Sequence, residues 1–352
     1  MKEPANKNIL NEGISFIVPT FNGSQWLQET IRHIMEAISF AKVSKFEILV
    51  VNDGSTDDTI EVVQKIATLN NAVRLVSQKN GGRFIARRTG TANARYPYLL
   101  FVDTRVFIGK KSLDYVIKKH HKDPTRNVWC SHVRVETKGN IYAKFWEAIA
   151  FIAWRKYFKK PRDISYGIDK FDDYPKGTTC FFIKKSILKE ANGWFEKNTK
   201  DIKTSNDDTL LIRHIANDNS INVSPGFWCL YHARNKFVPY IKHVFHRGKV
   251  FVDGFLRNDG NRFFIPLVLF LMISILLPIL VLFYPSMLTV IIPAIFVLWA
   301  LELLIILIIG MPLKDGLSLF ILTPIFSIVY GLGIWRSVIN IYVLKSPQRT
   351  RG

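Results

Sequence analysis

Four acidic positions stand where carboxylates can do chemistry. Asp103 follows directly on a short apolar run and Asp53 one residue beyond another, and the adjacent Asp207 and Asp208 open a helical pattern. A carboxylate beside a hydroxyl can take its proton as the oxygen attacks an electrophilic carbon. One beside a diphosphate can instead hold a divalent ion. Arg83, Arg87 and Arg88 repeat positive charge at a helix start after Asn80, Gly81 and Gly82, a place suited to phosphate. Local duties compete for some of these residues. In N-D-G-S-T-D-D, Ser55 or Thr56 is expected as the N-cap, with Asp57 and Asp58 in the first turn. Asp207 can cap its own helix in the same way. Asp53 precedes the cap and is left for a ligand.

The elements that position these residues alternate. Apolar runs at 14–18, 46–51, 72–76 and 98–102 read as buried strands, and helical patterns fill 25–39, 57–68 and 83–94. That order predicts an α/β domain with a mostly parallel, Rossmann-like sheet. In such sheets ligands bind beyond the carboxyl ends of the strands. Pro19 and Thr20, Asp53, and Asp103 with Arg105 all fall on that rim.

Composition changes at residue 263. Residues 263–284 carry no charge and match a bilayer-spanning length; 287–311 hold one acid, Glu302; 317–344 are apolar but interrupted by Pro324, Gly331, Gly333 and Arg336. The chain has 48 Lys and Arg against 28 Asp and Glu, a formal charge of +20. Only five basic and two acidic residues lie from 263 onward, so most of the excess belongs to residues 1–262. Lys249, Arg257 and Arg262 just before the first span place the preceding region on the cytoplasmic side. Three spans would put the basic tail (Lys345, Arg349, Arg351) outside, so either the third segment is re-entrant or interfacial or the tail departs from the rule. Residues 141–160 and 237–257 mix aromatic and basic residues, which fits interfacial helices on anionic headgroups. Glu302 is costly in a span unless paired, and Arg336 is its expected partner. His120 and His121 read as an exposed loop pair. The expected division is a domain over 1–235 that includes the interfacial helix near 141–160, a linker helix over 236–262, spans over 263–344 and a tail over 345–352. The first residues hold no apolar run of the signal-peptide kind, so the sequons at Asn22 and Asn222 are not expected to be modified. Three distant cysteines with no CxxC pair exclude a disulfide framework or zinc finger.

ISFIVPTFNGS (14–24), FEILVVNDGSTDDT (46–59), NGGRFIARRTGTANARYPYLLFVD (80–103), GTTCFFIKKSILKEANGWFE (177–196) and NDDTLLIRHIANDNSINVSPG (206–226) together resemble the family 2 glycosyltransferases of GT-A fold. The match covers roughly 13–250, and the apolar C-terminus looks like that of membrane-attached members. The resemblance implies an inverting enzyme of the plasma membrane. It would move one sugar from a UDP- or GDP-linked donor to a lipid-linked or growing glycan acceptor. A polyprenyl-phosphate acceptor is the alternative, as is a degenerate, non-catalytic relative. By the resemblance, Pro19 and Thr20 border the base, Asp53 accepts from base or ribose, and Arg87 approaches base or diphosphate. Asp103 matches the first acid of the DxD motif that holds a metal-bound diphosphate. Arg105 stands where the second acid belongs, so either Arg105 neutralises the diphosphate or Asp103 holds Mg2+ or Mn2+ in a weakened site. Asp208, or else Asp207, is the implied base. Residues 191–195 look like the acceptor-side turn, with Trp194 a sugar platform. Residues 243–248 (HVFHRG) stand near the place of the QxxRW motif of processive enzymes; the tryptophan is missing, and Arg247 is left as a diphosphate ligand.

Other classes fit less well. A nucleic-acid binder would explain the charge, but the basic residues are interleaved with apolar ones and form no nucleic-acid module. A nucleotidyltransferase needs a glycine-rich loop after its first strand, which VPTFNGS is not. A transporter needs more than three sparsely polar apolar segments.

Overall fold

The computed structural model describes residues 9–199, 202, 207–256 and 263–343. Asn206, Arg257, Arg262 and the basic tail lie outside the described residues. The chain divides into two compact units, residues 1–136 with 156–232, and residues 137–155 with 233–352. The expected interfacial helix near 141–160 is therefore cut, and its larger part groups with the C-terminal helices.

In the first unit, α1 (Ile9–Glu12), β1 (Ile14–Thr20), α2 (Ser24–Ala41), β2 (Phe46–Asp53), α3 (Thr59–Leu69), β3 (Val73–Gln78), α4 (Arg83–Asn93) and β4 (Tyr98–Val102) follow the expected alternation. β3, β2, β1 and β4 lie side by side and all parallel. β1 and β4 are buried almost throughout, as strands covered on both faces must be. The sheet continues through β5 (Val106–Ile108), β6 (Val128–Val135), β7 (Ile164–Tyr166), β8 (Cys180–Lys184) and β9 (Ile221–Tyr231). The order is β3-β2-β1-β4-β8-β6-β9-β5, with β7 also on β9. β8 runs antiparallel to β4 and β6, whereas β6 and β9 are parallel, with a register shift between Ser131 and His132. α5 (Ser112–Lys122), α8 (Lys185–Asn198) and α9 (Asp207–Asp218) complete the layers.

Two apolar cores flank the sheet. Leu27, Ile31 and Ile34 of α2 fill one, and Phe84 of α4, Phe195 of α8 and Ile212 of α9 fill the other. His120 is buried on α5 with its ring edge-on to Tyr98, 5.4 Å between centroids, and is not in an exposed loop. Burial lowers its pKa and keeps it neutral. Asn222 is fully buried and bonded to Arg126 and Val128, so that sequon is closed to modification.

The second unit holds α6 (Ile141–Ala153), α10 (Phe237–Phe255), α11 (Phe264–Phe283), α12 (Leu288–Ile309) and α13 (Leu313–Val338). Helix α6 ends at Trp154, and the short α7 (Arg155–Phe158) follows it across the unit boundary, so 141–160 is not one continuous helix. Among the described residues three helical stretches, Phe264–Phe283, Pro285–Ile309 and Leu313–Tyr342, are long and apolar enough to cross a membrane. The third runs as one helix through Pro324 without a turn-back. Helices α10 and α13 cross at Gly248 and Gly333, where an added Cβ on either would lie 3.1 Å from the Cα of the other. Only glycine permits so close a backbone approach. Glu302 accepts from Thr323 Oγ1 at 2.7 Å, so threonine, not the expected Arg336, is its partner.

Candidate active site

The loops after β1 and β2 are tied together before any ligand arrives. Asn22 N donates to Ser55 Oγ (2.9 Å), Thr56 N to Asn22 Oδ1 (2.8 Å) and Ser24 N to Asp57 Oδ2 (3.2 Å). The cap of α3 is therefore not Ser55 or Thr56. Asp58 takes that place, and Asp57 accepts from Thr59 N and Thr59 Oγ1, because Ser55 and Thr56 are spent across the loop. Thr104 Oγ1 donates to Pro19 O at 3.0 Å, and Thr20 is buried with its hydroxyl unpartnered among the described residues.

Asp53 is buried, and its carboxylate organises the chain beyond β3. It accepts from Gln78 Nε2 (2.7 Å), Gly81 N (2.7 Å) and Gly82 N (2.9 Å). Gly82 has φ +89°, a conformation that favours glycine, and it starts α4. Asp53 thereby aims the helix that carries Arg83 and Arg87.

Arg87 gathers the acids. Its Nη2 donates to both oxygens of Asp103 (2.9 and 3.0 Å), and its Nη1 to Asp207 (2.9 Å) and Asp208 (3.1 Å). Arg83 adds a contact to Asp207 at 3.3 Å while about half its side chain stays exposed. The side chain of Asp207 is 6% exposed and that of Asp208 24%, so Asp208 is the more accessible acid. Burial raises the pKa of Asp103 against the pull of Arg87. Burial, reinforced by the charge of Asp208, raises that of Asp207 as well. Burial disfavours the charge on Arg87, but the three carboxylates outweigh it and raise its pKa above the guanidinium range.

The remaining expected site residues have other neighbours. Arg105 adopts φ +91° and its guanidinium sits 5.7 Å over the ring of Trp26 on α2, while its carbonyl accepts from His232 N. Residues 191–195 are not a turn: they lie inside α8, and the ring of His214 stacks flat on Trp194 at 4.3 Å. One face of the expected sugar platform is thus covered. Arg247 lies on α10 in the second unit, over Trp146 at 5.7 Å.

The side chains as placed do not fit a protein-built divalent-cation site. Both Asp103 oxygens face one guanidinium, arginine replaces the second acid, and among the described residues no group of three His, Cys, Asp or Glu could hold a metal. One residue of the cluster escaped the sequence reading. Thr178, buried just ahead of β8, donates its hydroxyl to Asp208, and the next carbonyl, Thr179 O, accepts from Asp103 N at 2.9 Å. Attention to residues after strands passes over it, because β8 is antiparallel and the residue on the rim comes before the strand. Its signal was the apolar run CFFIK beginning two residues later.

The family model described as Glycosyl transferase family 2 matches residues 15–191, half of the chain. The chain belongs to this family. Poly-beta-1,6-N-acetyl-D-glucosamine synthases of Staphylococcus aureus and Staphylococcus epidermidis are 26% identical over 195 residues, which are 55% of this chain and 45% of theirs. The chain thus spans about half the length of the curated relatives it matches. Among solved structures, a mannosyltransferase of Pyrobaculum calidifontis in complex with GDP-Man and Mn2+ aligns with TM-score 0.52 at 18% identity, over 70% of this chain and 65% of that one. S. aureus TarS 1-349 in complex with UDP-GlcNAc aligns with TM-score 0.46 at 20% identity, over 71% and 68%. The sheet unit is a GT-A-like fold, and this family 2 glycosyltransferase carries it ahead of three apolar helices.

Proposed function

We propose that this glycosyltransferase moves one sugar, with inversion, from a nucleotide-diphosphate sugar to a lipid-linked or growing cell-surface glycan. The observation that carries the reading is the accessible carboxylate of Asp208, held by Arg87 in one cluster with Asp103 at the carboxyl rim of the sheet. Asp208 takes the acceptor hydroxyl proton while that oxygen attacks the anomeric carbon. The bond from that carbon to the diphosphate oxygen breaks on the opposite face, and the nucleotide diphosphate leaves with the electron pair. Asp53, Pro19 and Thr20 border the nucleotide, Asp53 through the loop it shapes. Arg83, half exposed, turns to the diphosphate, while Arg87 holds the acids in place. Mg2+ or Mn2+ at Asp103 would require Arg87 to leave that carboxylate, so no step is assigned to a metal. Donor binding in EDTA and in Mn2+ tests this: equal affinity supports the arginines, and loss in EDTA restores the metal.

The relatives named as polymer synthases support an envelope glycan as acceptor. Residues 243–248, without the tryptophan of processive enzymes, support single-sugar transfer. The sheet unit works on the cytoplasmic side of the plasma membrane, and Lys249 before the first span supports that side. Screening UDP- and GDP-sugars for thermal stabilisation, then for transfer to membrane lipid extracts, identifies donor and acceptor. Asp208→Asn should lower transfer by at least about 10²–10⁴-fold while nucleotide binding persists. Undiminished turnover would sink the assignment.

A further inference from the structure

We propose that Thr178 is a positioning residue for the proton transfer, its hydroxyl holding the carboxylate of Asp208 in the orientation that accepts the proton. The inference rests on Asp208 as the base. Thr178 is 2% exposed, so its hydroxyl cannot turn to bulk water, and it donates to Asp208 Oδ1, the same oxygen that accepts from Arg87 Nη1. Two donors from different elements on one oxygen fix the carboxylate in angle as well as position. Arg87 alone could not do this, because its guanidinium also serves Asp103 and Asp207. The β-branched side chain of Thr178 is stiff about χ1, which presets the donor direction. Its backbone neighbour Thr179 anchors Asp103 N, so one dipeptide locates both acids relative to β4.

The chemistry makes this placement matter. Helix α9 starts at Asp207, and a terminal turn holds side chains less firmly than a helix interior. A carboxylate that rotates away from the attacking hydroxyl leaves donor affinity intact and slows only the proton transfer. Misplacement of a reacting group by about 1 Å can cost ~10²-fold.

The test uses the full-length protein in detergent, with hydrolysis of the stabilising UDP- or GDP-sugar and its transfer into membrane lipid extract as readouts. Thr178→Val keeps shape and removes the donor; Thr178→Ala removes it without the branched side chain and serves if the valine variant does not fold. Either should lower kcat about 10- to 100-fold with donor KM and nucleotide Kd unchanged. Thr178→Ser should recover most of the loss. In an Asp208→Asn background, Thr178→Val should add no further loss, since the group it orients is gone. A valine variant with unchanged kcat, or a serine variant as slow as valine, overturns the proposal while leaving Asp208 as base. Full activity of Asp208→Asn overturns the base itself, and Thr178's role with it.

Discussion

The two units stabilise buried polar groups by different means. In the sheet unit, charge answers charge: Arg87 serves three carboxylates, and the buried Glu47 accepts from Arg74, Ser15 and the backbone of Arg95. In the helical unit, neutral donors do the work. Trp299 Nε1 donates to Phe320 O at 2.9 Å, Thr323 to Glu302, and Trp335 Nε1 to Ser274 Oγ at 3.0 Å. Phe320 is four residues before Pro324, which has no N–H, so its carbonyl lacks the usual helix donor and the Trp299 indole replaces it. A sheet whose rim opens to water can build ion clusters there, with solvent screening the surplus charge. Helices apolar enough to cross a membrane have no such screening within hydrocarbon, where an uncompensated charge costs far more than a neutral hydrogen bond gains.

Arg87→Met strips the sheet unit of its central charge pairing. With its hub gone, three carboxylates lose their shared guanidinium while Arg83 keeps its contact to Asp207, and stability should fall by about 3–5 kcal/mol, read from denaturant unfolding. A change near zero would mean the cluster is solvated rather than charge-paired. Much of the site was already legible: Asp53 and Asp103 stand where two short apolar runs end, and Asp207 and Asp208 where a helix begins. Arg87 as the common partner of Asp103, Asp207 and Asp208 was not legible, since its contacts to Asp207 and Asp208 span 120 and 121 residues. No local pattern reports such a pairing.

A smaller effect sharpens the other side. Trp299→Phe should destabilise the helical unit by about 1 kcal/mol, in the range of hydrogen bonds between spanning helices. Pro324→Ala restores an N–H to Phe320 O, so Trp299→Phe in that background should cost almost nothing in a double-mutant cycle. Equal losses in both backgrounds would show that the indole packs on Phe320, whose ring it also stacks against at 4.5 Å, rather than replacing a helix donor.

The mildest test concerns an ion pair nearer water. Burial works to raise the pKa of Asp163, but hydrogen bonds from Arg126 and Lys119 prevail and bring it down to about 2. A depressed carboxylate contributes stability above its unfolded pKa, near 3.8, and loses it as pH falls toward the folded value. Asp163→Asn should therefore be less stable than the parent at pH 6, with the two unfolding midpoints converging by about pH 2. A constant difference across that window would remove the ion pair as its cause.

Composition and periodicity alone determined the strand–helix alternation, the three apolar helices and the positions of the acids. Each of these depends on side chains within a few turns of one another, where hydrophobic spacing and backbone sterics act directly. Tertiary structure alone decided that Asp53 spends its oxygens on Gly81 and Gly82, that Arg105 turns onto Trp26, and that Thr178 meets Asp208. Those outcomes require strands distant in sequence to pair, and in the case of β8 to pair antiparallel. Hydrogen bonding and burial select such a partner only after the chain has closed on itself.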